Sequence, residues 1–373
     1  MAGRSGTVPV TARLLAARPV HTTAGAAGIG LALMLMLLLA GLWAGVQDRV
    51  TSYDDHLGAD LAVVPPGTRS LFADPGVLPA PTVAAVAAVD GVTAAAALRT
   101  MYQIVELPHG KAAVAVVAAD PDSSMGGPWS FTTGRAPHTP GEVAVDALFA
   151  DQHGLGVGDR VPVLGHRMRI VGLTDDTALF MTPLLFTTTT DAMNTMLSSP
   201  ETTGAVLVAT DTPARVVADL RAAGYTVRTP VQLQDASLDL ATRIYGSPVR
   251  LMVGVAFAAG TLIVALVAYT RVTEQQRDLG VLKALGATPG RLRRVAVTET
   301  VVLTALGAVT SVVLLLVGRE LLAWWRPAFP VVLTAGTLAQ TAAAAVVMAL
   351  LAAWMPTRRL AKMDAASAFR STR

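Results

Sequence analysis

Four long apolar stretches interrupt the polar pattern of this chain. They cover residues 24–46, 251–270, 295–317 and 331–355. A helix needs about 20 apolar residues to cross a hydrocarbon layer about 30 Å thick, so each stretch can form a transmembrane helix. Between the first two stretches, residues 47–248 contain short apolar runs separated by Gly, Pro and Asp, which is typical of a mixed α/β domain.

Individual elements can be predicted within this intervening segment. Strands are expected at 59–64, 112–119, 204–209 and 225–228, and helices at 81–89 and 213–223. Residues 141–173 predict a strand, a short helix, a Gly-rich turn and two further strands. The alternation of strands and helices indicates a folded domain rather than a linker.

The composition agrees with a membrane protein. Hydrophobic residues make up 53% of the 373 residues and charged residues only 15%, which excludes an ordinary soluble chain. The absence of cysteine excludes a disulfide framework, a zinc–thiolate site and thiol catalysis. Arginine is far commoner than lysine, and Ala, Val and Gly are abundant, which suggests a bacterium with a GC-rich genome.

The first apolar stretch could instead be a cleaved secretory signal, because it follows the basic residues Arg4, Arg13 and Arg18. The apolar core of such a signal has about 7 to 15 residues. The stretch 24–46 is longer, and it lacks a clear Ala-x-Ala cleavage site before Asp48. We therefore expect it to be retained as a membrane span.

Charge differs strongly between segments and predicts the orientation in the membrane. Residues 1–23 carry a net +3, and 271–294 and 356–373 carry +4 each, whereas 47–248 holds 12 basic and 21 acidic residues. Short basic segments stay in the cytoplasm. Both termini and the 271–294 loop are therefore expected inside a bacterial cell membrane, and the α/β domain outside it.

The expected fold class is an α+β membrane protein, with four transmembrane helices and a large extracytoplasmic mixed α/β domain between the first and second helices. The expected order is a cytoplasmic amphipathic segment (1–23), transmembrane helix 1 (24–46), the extracytoplasmic domain (47–248), transmembrane helix 2 (249–270), a cytoplasmic loop (271–294), transmembrane helix 3 (295–317), an outer loop (318–330), transmembrane helix 4 (331–355) and a cytoplasmic tail (356–373).

The α/β segment shows no catalytic or metal-binding pattern. Its histidines are scattered without His-x-x-x-His spacing, and it contains no Gly-x-Ser-x-Gly. Glu142, Asp146 and Asp151 lie among turn residues, where solvated carboxylates are common. We therefore expect no enzymatic activity in this chain itself, no metal site and no nucleic-acid partner.

The loop between the second and third spans combines charge with a narrow apolar stripe. Leu279, Leu282 and Leu285 recur at helical spacing in an otherwise charged segment. A Gly-rich break follows, and Pro289 suits the first position of the next helix. A short helix of this kind beneath the membrane fits a groove of a cytoplasmic partner.

This loop resembles the signature of the MacB/FtsX-type ABC transporter permeases, the type VII or mechanotransmission family. The resemblance lies in the run RDLGVLKALGA from Arg277 to Ala287. Gly134-Arg135, Pro140-Gly141-Glu142 and Gly158-Asp159 resemble the family's external domain, and Pro356 to Arg370 resembles its C-terminal pattern. The order of one span, a large domain and three spans also matches, without a fused ATPase domain.

The resemblance implies that the loop is a coupling helix that docks on an ATPase subunit. The implied ATPase-coupling residues are Glu274, Arg277, Asp278, Leu279, Leu282, Lys283, Leu285 and Gly286. The chain contains no Gly-x-x-x-x-Gly-Lys-Ser/Thr loop. We therefore expect it to bind no cofactor itself, with ATP and Mg bound by a separate cytoplasmic ATPase present in two copies. Four spans are too few to enclose a path, so a second copy of the permease is expected.

Glu299 is a formal charge within a predicted span, and a charge near mid-bilayer costs roughly 3 kcal/mol on insertion scales. One interpretation is a helix–helix contact that transmits movement of the loop. The other is an interfacial carboxylate near Arg271 or Arg294. Both interpretations stay open from the sequence.

A few residues could contact a ligand at or near the membrane. Met34, Met36 and Met252 could offer thioether sulfurs to an apolar cargo or to haem iron, although methionine in a span is commonly packing material. Asp239 lies just outside the second span and could supply an oxygen ligand or belong to a stalk that enters the membrane.

These features predict the permease subunit of an ABC exporter for a hydrophobic or amphipathic cargo. Haem, an antimicrobial peptide or drug, and a lipid or lipoprotein are candidate cargoes, taken from the membrane lipid or the outer face. The alternative is an FtsX-like scaffold that transmits ATPase movements to an extracytoplasmic cell-wall hydrolase. A periplasmic adaptor is not expected if the bacterium is Gram-positive.

Overall fold

The structure is a computed structural model that describes residues 19–108, 110–191, 202–275, 281, 287–325 and 331–362. The described residues fall into two compact units. The helical unit contains the chain up to Gly45 and most of the chain from Gly246 onward. The sheet domain contains Val46–Tyr245.

Helices and strands alternate irregularly along the chain. They are α1 (Pro19–Asp55), β1 (Leu61–Val64), β2 (Leu78–Pro79), α2 (Pro81–Ala87), β3 (Val92–Leu107), β4 (Gly110–Ala119), β5 (Phe131–Gly134), β6 (Glu142–Asp146), α3 (Ala147–His153), β7 (Arg160–Val163), β8 (His166–Thr174), β9 (Ala178–Leu179), β10 (Thr182–Thr188), β11 (Thr202–Thr203), β12 (Ala205–Thr210), α4 (Pro213–Ala222), β13 (Thr226–Arg228), α5 (Pro230–Ala241), α6 (Ser247–Glu274), α7 (Pro289–Trp325) and α8 (Ala335–Lys362). One π-helical turn, Thr242–Gly246, lies between α5 and α6.

Four helices of the described chain are long and apolar enough to cross a membrane. Their ends differ from those of the predicted spans. Helix α1 starts at Pro19 and continues to Asp55, and α7 starts at Pro289, the position expected from the sequence. Residues 331–334, which the pattern placed in the fourth span, precede α8 and are not helical. Of the amphipathic segment predicted for 1–23, residues 1–18 lie outside the described residues, and residues 19–23 belong to α1.

The helical unit packs through a shared apolar core. Ile29, Leu33, Val264, Leu303 and Met348 are buried there and come from all four helices. Glycine lets two backbones approach closely in this core. A Cβ atom added to Gly307 of α7 would lie 2.6 Å from Cγ2 of Ile29 and 3.2 Å from the backbone nitrogen of Gly30. Small residues of this kind allow membrane helices to pack tightly.

A large mixed sheet forms the centre of the sheet domain. Among the described residues, eleven strands belong to it, and the main path runs β13-β1-β12-β3-β4-β10-β6-β8-β5. Strand β10 is parallel to β4, and β6 is parallel to β8, whereas the other pairs along the path are antiparallel. The sheet thus contains both parallel and antiparallel pairs, and helices lie between its strands along the chain, so the domain is mixed α/β.

Strand β1 shows why its sequence is an uninterrupted apolar run. Leu61 and Val63 pack with Val216 and Leu220 of α4, in a core on one face of the sheet. Ala62 and Val64 belong to another core, to which Leu233 of α5 and Tyr53 of α1 also contribute. A strand buried on both faces needs apolar residues at every position rather than alternation.

Candidate functional site

Four polar side chains from three helices meet inside the helical unit. We call Thr22, Arg271, Gln275 and Glu299 the buried cluster. Nη1 of Arg271 lies 3.5 Å from Oε1 of Glu299, and the side chains of this ion pair are 6% and 7% exposed. Nε2 of Gln275 donates to Oε1 of Glu299 at 2.9 Å, and Nη2 of Arg271 donates to Oγ1 of Thr22 at 2.8 Å. The buried cluster therefore links α1, the end of α6 and α7.

This arrangement explains how a carboxylate is tolerated in an apolar helix bundle. A buried ion pair gives little net stability, but removal of one partner leaves an unpaired buried charge, which is strongly destabilising. The structure places Glu299 against Arg271, one of the two arginines considered from the sequence, while Arg294 is exposed. The sequence reasoning missed Gln275 and Thr22. Gln275 follows Arg271 by four residues and could have been found from that spacing.

The predicted coupling residues are mostly beyond the described chain. Glu274 is the last residue of α6 and is half-buried. The remaining predicted coupling residues, which lie outside the described residues, are Arg277, Asp278, Leu279, Leu282, Lys283, Leu285 and Gly286. The buried cluster flanks the signature run 277–287, because Gln275 lies just before that run along the chain and Glu299 lies on α7, the helix that follows it.

The predicted ligand residues have different environments. Met36 is buried in the helical core, Met34 is half-buried and packs near Gly318, and Met252 is 56% exposed at the start of α6. Asp239 of α5 forms an ion pair with Arg243 of the π-helical turn that follows, with Oδ2 and Nη2 2.6 Å apart. Within the described residues, His, Asp and Glu form no group of three that could hold a metal ion.

The sheet domain contains a cleft of about 400 Å³ that the sequence did not predict. We call it the cleft. Asp146, Phe149 and His153 line it from the start and body of α3, and Arg49 lines it from α1. The region from β8 to β10 contributes Asp175, Asp176, Ala178, Leu179, Met181, Thr182 and Pro183. Arg49 and Asp176 form an ion pair here, with Nη1 and Oδ1 2.5 Å apart. All these residues belong to the sheet domain.

Asp146 is a structural residue of the cleft. It is 4% exposed and caps α3, since Oδ1 accepts a hydrogen bond from the backbone nitrogen of Phe149 at 3.0 Å. Oδ2 lies 3.4 Å from the Thr177 hydroxyl, which donates to it. Burial raises the pKa of Asp146, and these hydrogen bonds and the charge of Arg49 offset part of that rise. The sequence interpretation of Asp146 as a solvated turn residue is therefore wrong.

Asp54 is a second buried acid of the sheet domain, outside the predicted span 24–46. It is 4% exposed, and Oδ2 accepts a hydrogen bond from the Ser237 hydroxyl of α5 at 3.0 Å. Burial raises the pKa of Asp54 to about 7, the Ser237 hydrogen bond opposes the rise, and neighbouring Asp55 adds to it. No cation of the described chain lies at ion-pair distance from Asp54.

Comparison with known proteins identifies two regions of the chain. A family model described as the MacB-like periplasmic core domain matches residues 23–223, and one described as the FtsX-like permease C-terminal matches 250–365. Two relatives from strains of Mycobacterium tuberculosis are named as uncharacterized ABC transporter permeases. Each is 29% identical over 346 residues, which cover 91% of this chain and 93% of the relative.

Two solved structures also match part of the chain. The periplasmic region of MacB from Actinobacillus actinomycetemcomitans is 10% identical, with a TM-score of 0.38, over 48% of this chain and 94% of that chain. The extracellular domain of the noncanonic ABC-type transporter YknZ from Gram-positive bacteria is 11% identical, with a TM-score of 0.34, over 46% of this chain and 98% of that chain. The family follows from the sequence models: the first covers more than half of the chain, and the second covers three of the four apolar helices. The chain is a multi-pass membrane protein that belongs to the MacB/FtsX family of ABC transporter permeases.

Proposed function

We propose that this permease is the membrane subunit of an exporter whose energy comes from a separate cytoplasmic ATPase. The observation that carries the proposal is the buried cluster, which links helix α6 before the predicted coupling loop to helix α7 after it. An ATPase that moved the loop would move both helices together, because separating Arg271 from Glu299 would leave two unpaired buried charges. Glu299 is thus a transmission residue in this proposal.

The assembly in this proposal contains two permease chains and two ATPase subunits in a bacterial cell membrane. The basic segments at both termini and in the 271–294 loop support a cytoplasmic location for them, and the acidic sheet domain would then lie outside. ATP and Mg would be bound by the ATPase subunits. A Gram-positive envelope would need no periplasmic adaptor.

The cargo in this proposal is hydrophobic or amphipathic and comes from the membrane or its outer face. Haem, an antimicrobial peptide or drug, and a lipid or lipoprotein fit that description. Exposed Met252 supports contact with such a cargo more than Met36 does, because Met36 is already packed in the helical core.

The test uses the permease purified with its ATPase and reconstituted in lipid nanodiscs. Glu299→Gln keeps the shape of the side chain but removes its charge. The uncharged side chain leaves Arg271 without its carboxylate, so we expect the variant complex to be less stable than the unaltered one. The complex that does assemble should retain basal ATP hydrolysis, while stimulation of hydrolysis by cargo falls by about fivefold or more. Cargo release from proteoliposomes should fall in parallel. A separate pair of variants, Leu282→Asp and Leu285→Asp, should prevent retention of the ATPase.

Glu320→Gln is the matched control, since Glu320 also lies on α7 but is 72% exposed and pairs only with its neighbour Arg319 among the described residues. It should leave coupling unchanged. Normal coupling in Glu299→Gln would contradict the transmission role. A permease that retains no ATPase, or one that activates a cell-wall hydrolase without moving cargo, would contradict the exporter.

A further inference from the structure

The cleft has the dimensions of a binding site for a small organic molecule. Its volume of about 400 Å³ lies within the range of about 300 to 1,000 Å³ that is usual for ligand pockets. It is open to solvent, and all its lining residues belong to the sheet domain. The sequence predicts no role for it.

Part of the lining of the cleft is apolar. Leu148, Phe149, Leu179 and Met181 contribute to it, and Met181 is 56% exposed. The backbone φ of Met181 is 56°, in the left-handed region that side chains other than glycine rarely adopt. Asp176, with the same φ, also lines the cleft. Aspartate adopts this region more readily than other side chains do, so Met181 is the strained residue of the two.

Other residues that line the cleft are charged. Asp146, Asp175 and Asp176 contribute three carboxyl groups, and Arg49 contributes a guanidinium. Arg49 is already paired with Asp176. Asp175 is exposed and makes no side-chain bond with the described residues, so a negative charge faces the cleft. The segment 47–248 as a whole carries a net −9, which favours the approach of cations.

We propose that the cleft binds a drug-sized organic cation, with its positive nitrogen beside Asp175 and its apolar body against Phe149 and Met181. The unbranched side chain of methionine adapts to differently shaped apolar groups, so this lining suits a class of molecules rather than one compound. The identification of this molecule as cargo rests on the proposed export function. Binding itself requires neither ATP nor the ATPase.

The test measures binding of the fluorescent cation ethidium to the full chain in lipid nanodiscs, by fluorescence polarisation. The signal from empty nanodiscs, which reports partition of ethidium into lipid, is subtracted. We expect saturable binding to the permease and much weaker binding of the anion fluorescein. Asp175→Asn removes an exposed charge and should weaken ethidium binding by about tenfold. Ala113→Trp places a large ring at an exposed position that lines the cleft and should abolish binding.

Two controls test whether these losses are specific to the cleft. Asp211→Asn removes an equally exposed carboxylate elsewhere in the sheet domain, and Ala94→Trp adds the same ring at an exposed position of β3 outside the cleft. Both should bind ethidium as the unaltered chain does. Equal binding of fluorescein and ethidium, or full binding by Ala113→Trp, would overturn the site.

The proposed function can fail independently of the site. In the complex with the ATPase, ethidium should stimulate ATP hydrolysis, and Ala113→Trp should remove that stimulation. Saturable binding in the cleft without stimulation would uphold the site and contradict export of the bound cation. Cargo-stimulated hydrolysis that persists in Ala113→Trp would overturn the cleft as the cargo site while leaving the export function standing.

Discussion

The two units of this permease bury carboxyl groups in opposite ways. In the helical unit, Glu299 faces the guanidinium of Arg271 and an amide of Gln275. In the sheet domain, Asp54 and Asp146 are equally buried, but their hydrogen-bond donors are hydroxyl and backbone N–H groups. Burial raises the pKa of both aspartates, and their hydrogen bonds offset only part of that rise.

A carboxylate paired with an arginine and a buried acid held only by hydrogen bonds differ in what they do for the fold. A buried ion pair holds two helices together at all pH values at which both groups stay charged, and it resists separation because each group needs the other. A buried acid without a cation becomes neutral when protons are available, so the stability of its surroundings depends on pH. The helical unit contains the first arrangement, and Asp54 gives the sheet domain the second.

The largest effect on stability is expected from breaking the ion pair of the helical unit. Glu299→Leu leaves Arg271 charged, buried and without its carboxylate, which should destabilise the helical unit by about 3 to 5 kcal/mol. Hydrogen exchange of α6 and α7 in nanodiscs measures the loss. The double variant Arg271→Leu with Glu299→Leu should recover most of the stability, since no unpaired charge remains. Equal destabilisation of the single and double variants would show that the pair itself holds the helices.

The next effect concerns the pH dependence of the sheet domain. The pKa of Asp54 in the folded protein is about 7, above its ordinary value near 4. Protonated Asp54 therefore contributes its full stabilisation of the folded domain below about pH 4, and this stabilisation is lost as the pH rises through 7. Asp54→Asn keeps an acceptor for Ser237 and removes the titration. We expect it to stabilise the domain at about pH 8 by about 2 to 4 kcal/mol, with no difference near pH 4.

Hydrogen exchange of β1 and α5 at a series of pH values measures this change. Asp55→Asn is the neighbouring control: its exposed carboxylate accepts from Gln234 at 2.6 Å, so its replacement should leave the pH dependence largely in place. An unaltered slope between pH 4 and 7 in Asp54→Asn would contradict the assignment of that titration to Asp54.

The smallest of the three effects comes from a sheet-domain carboxylate that does have a cation. Glu142 accepts two hydrogen bonds from Arg135, at 2.8 and 2.5 Å, and two more from backbone nitrogens. Its pKa falls to about 2, first because of the Arg135 hydrogen bonds. The stabilisation is thus present above the ordinary pKa of glutamate, near 4.3, and disappears as the pH falls through 2.

Glu142→Gln should therefore weaken the sheet domain at neutral pH and have little effect near pH 2. The loss should be smaller than the change at Asp54, because Arg135 is half-exposed and water screens the pair. This loss of stability is measured by thermal unfolding, monitored through hydrogen exchange of β6 and β8. Glu106→Gln, which removes an exposed partner of Lys111, is the control and should produce no change. Equal losses in both variants would show that burial of Glu142 is irrelevant.

Much of the sheet domain could be predicted from local patterns. The strands expected at 112–119, 204–209 and 225–228 correspond to β4, β12 and β13, and the helix expected at 213–223 corresponds to α4. Strand β3 was missed because its first half is rich in alanine, which favours helices. It becomes a strand because β4 and β12 pair with it on both sides, and pairing partners outweigh local preference in sheets.

Hydrophobic length, periodicity and a short motif were enough to predict the four apolar helices, the sheet domain between the first two, and the family. The three-dimensional arrangement was needed to show that Arg271 is the partner of Glu299, that Asp54 and Asp146 are buried, and that Arg49 and Asp176 pair at the cleft. Arg49 and Asp176 are distant along the chain, and their proximity depends on how the strands and helices pack. Local patterns record the preferences of neighbouring residues, whereas burial and ion pairing arise from contacts between distant ones.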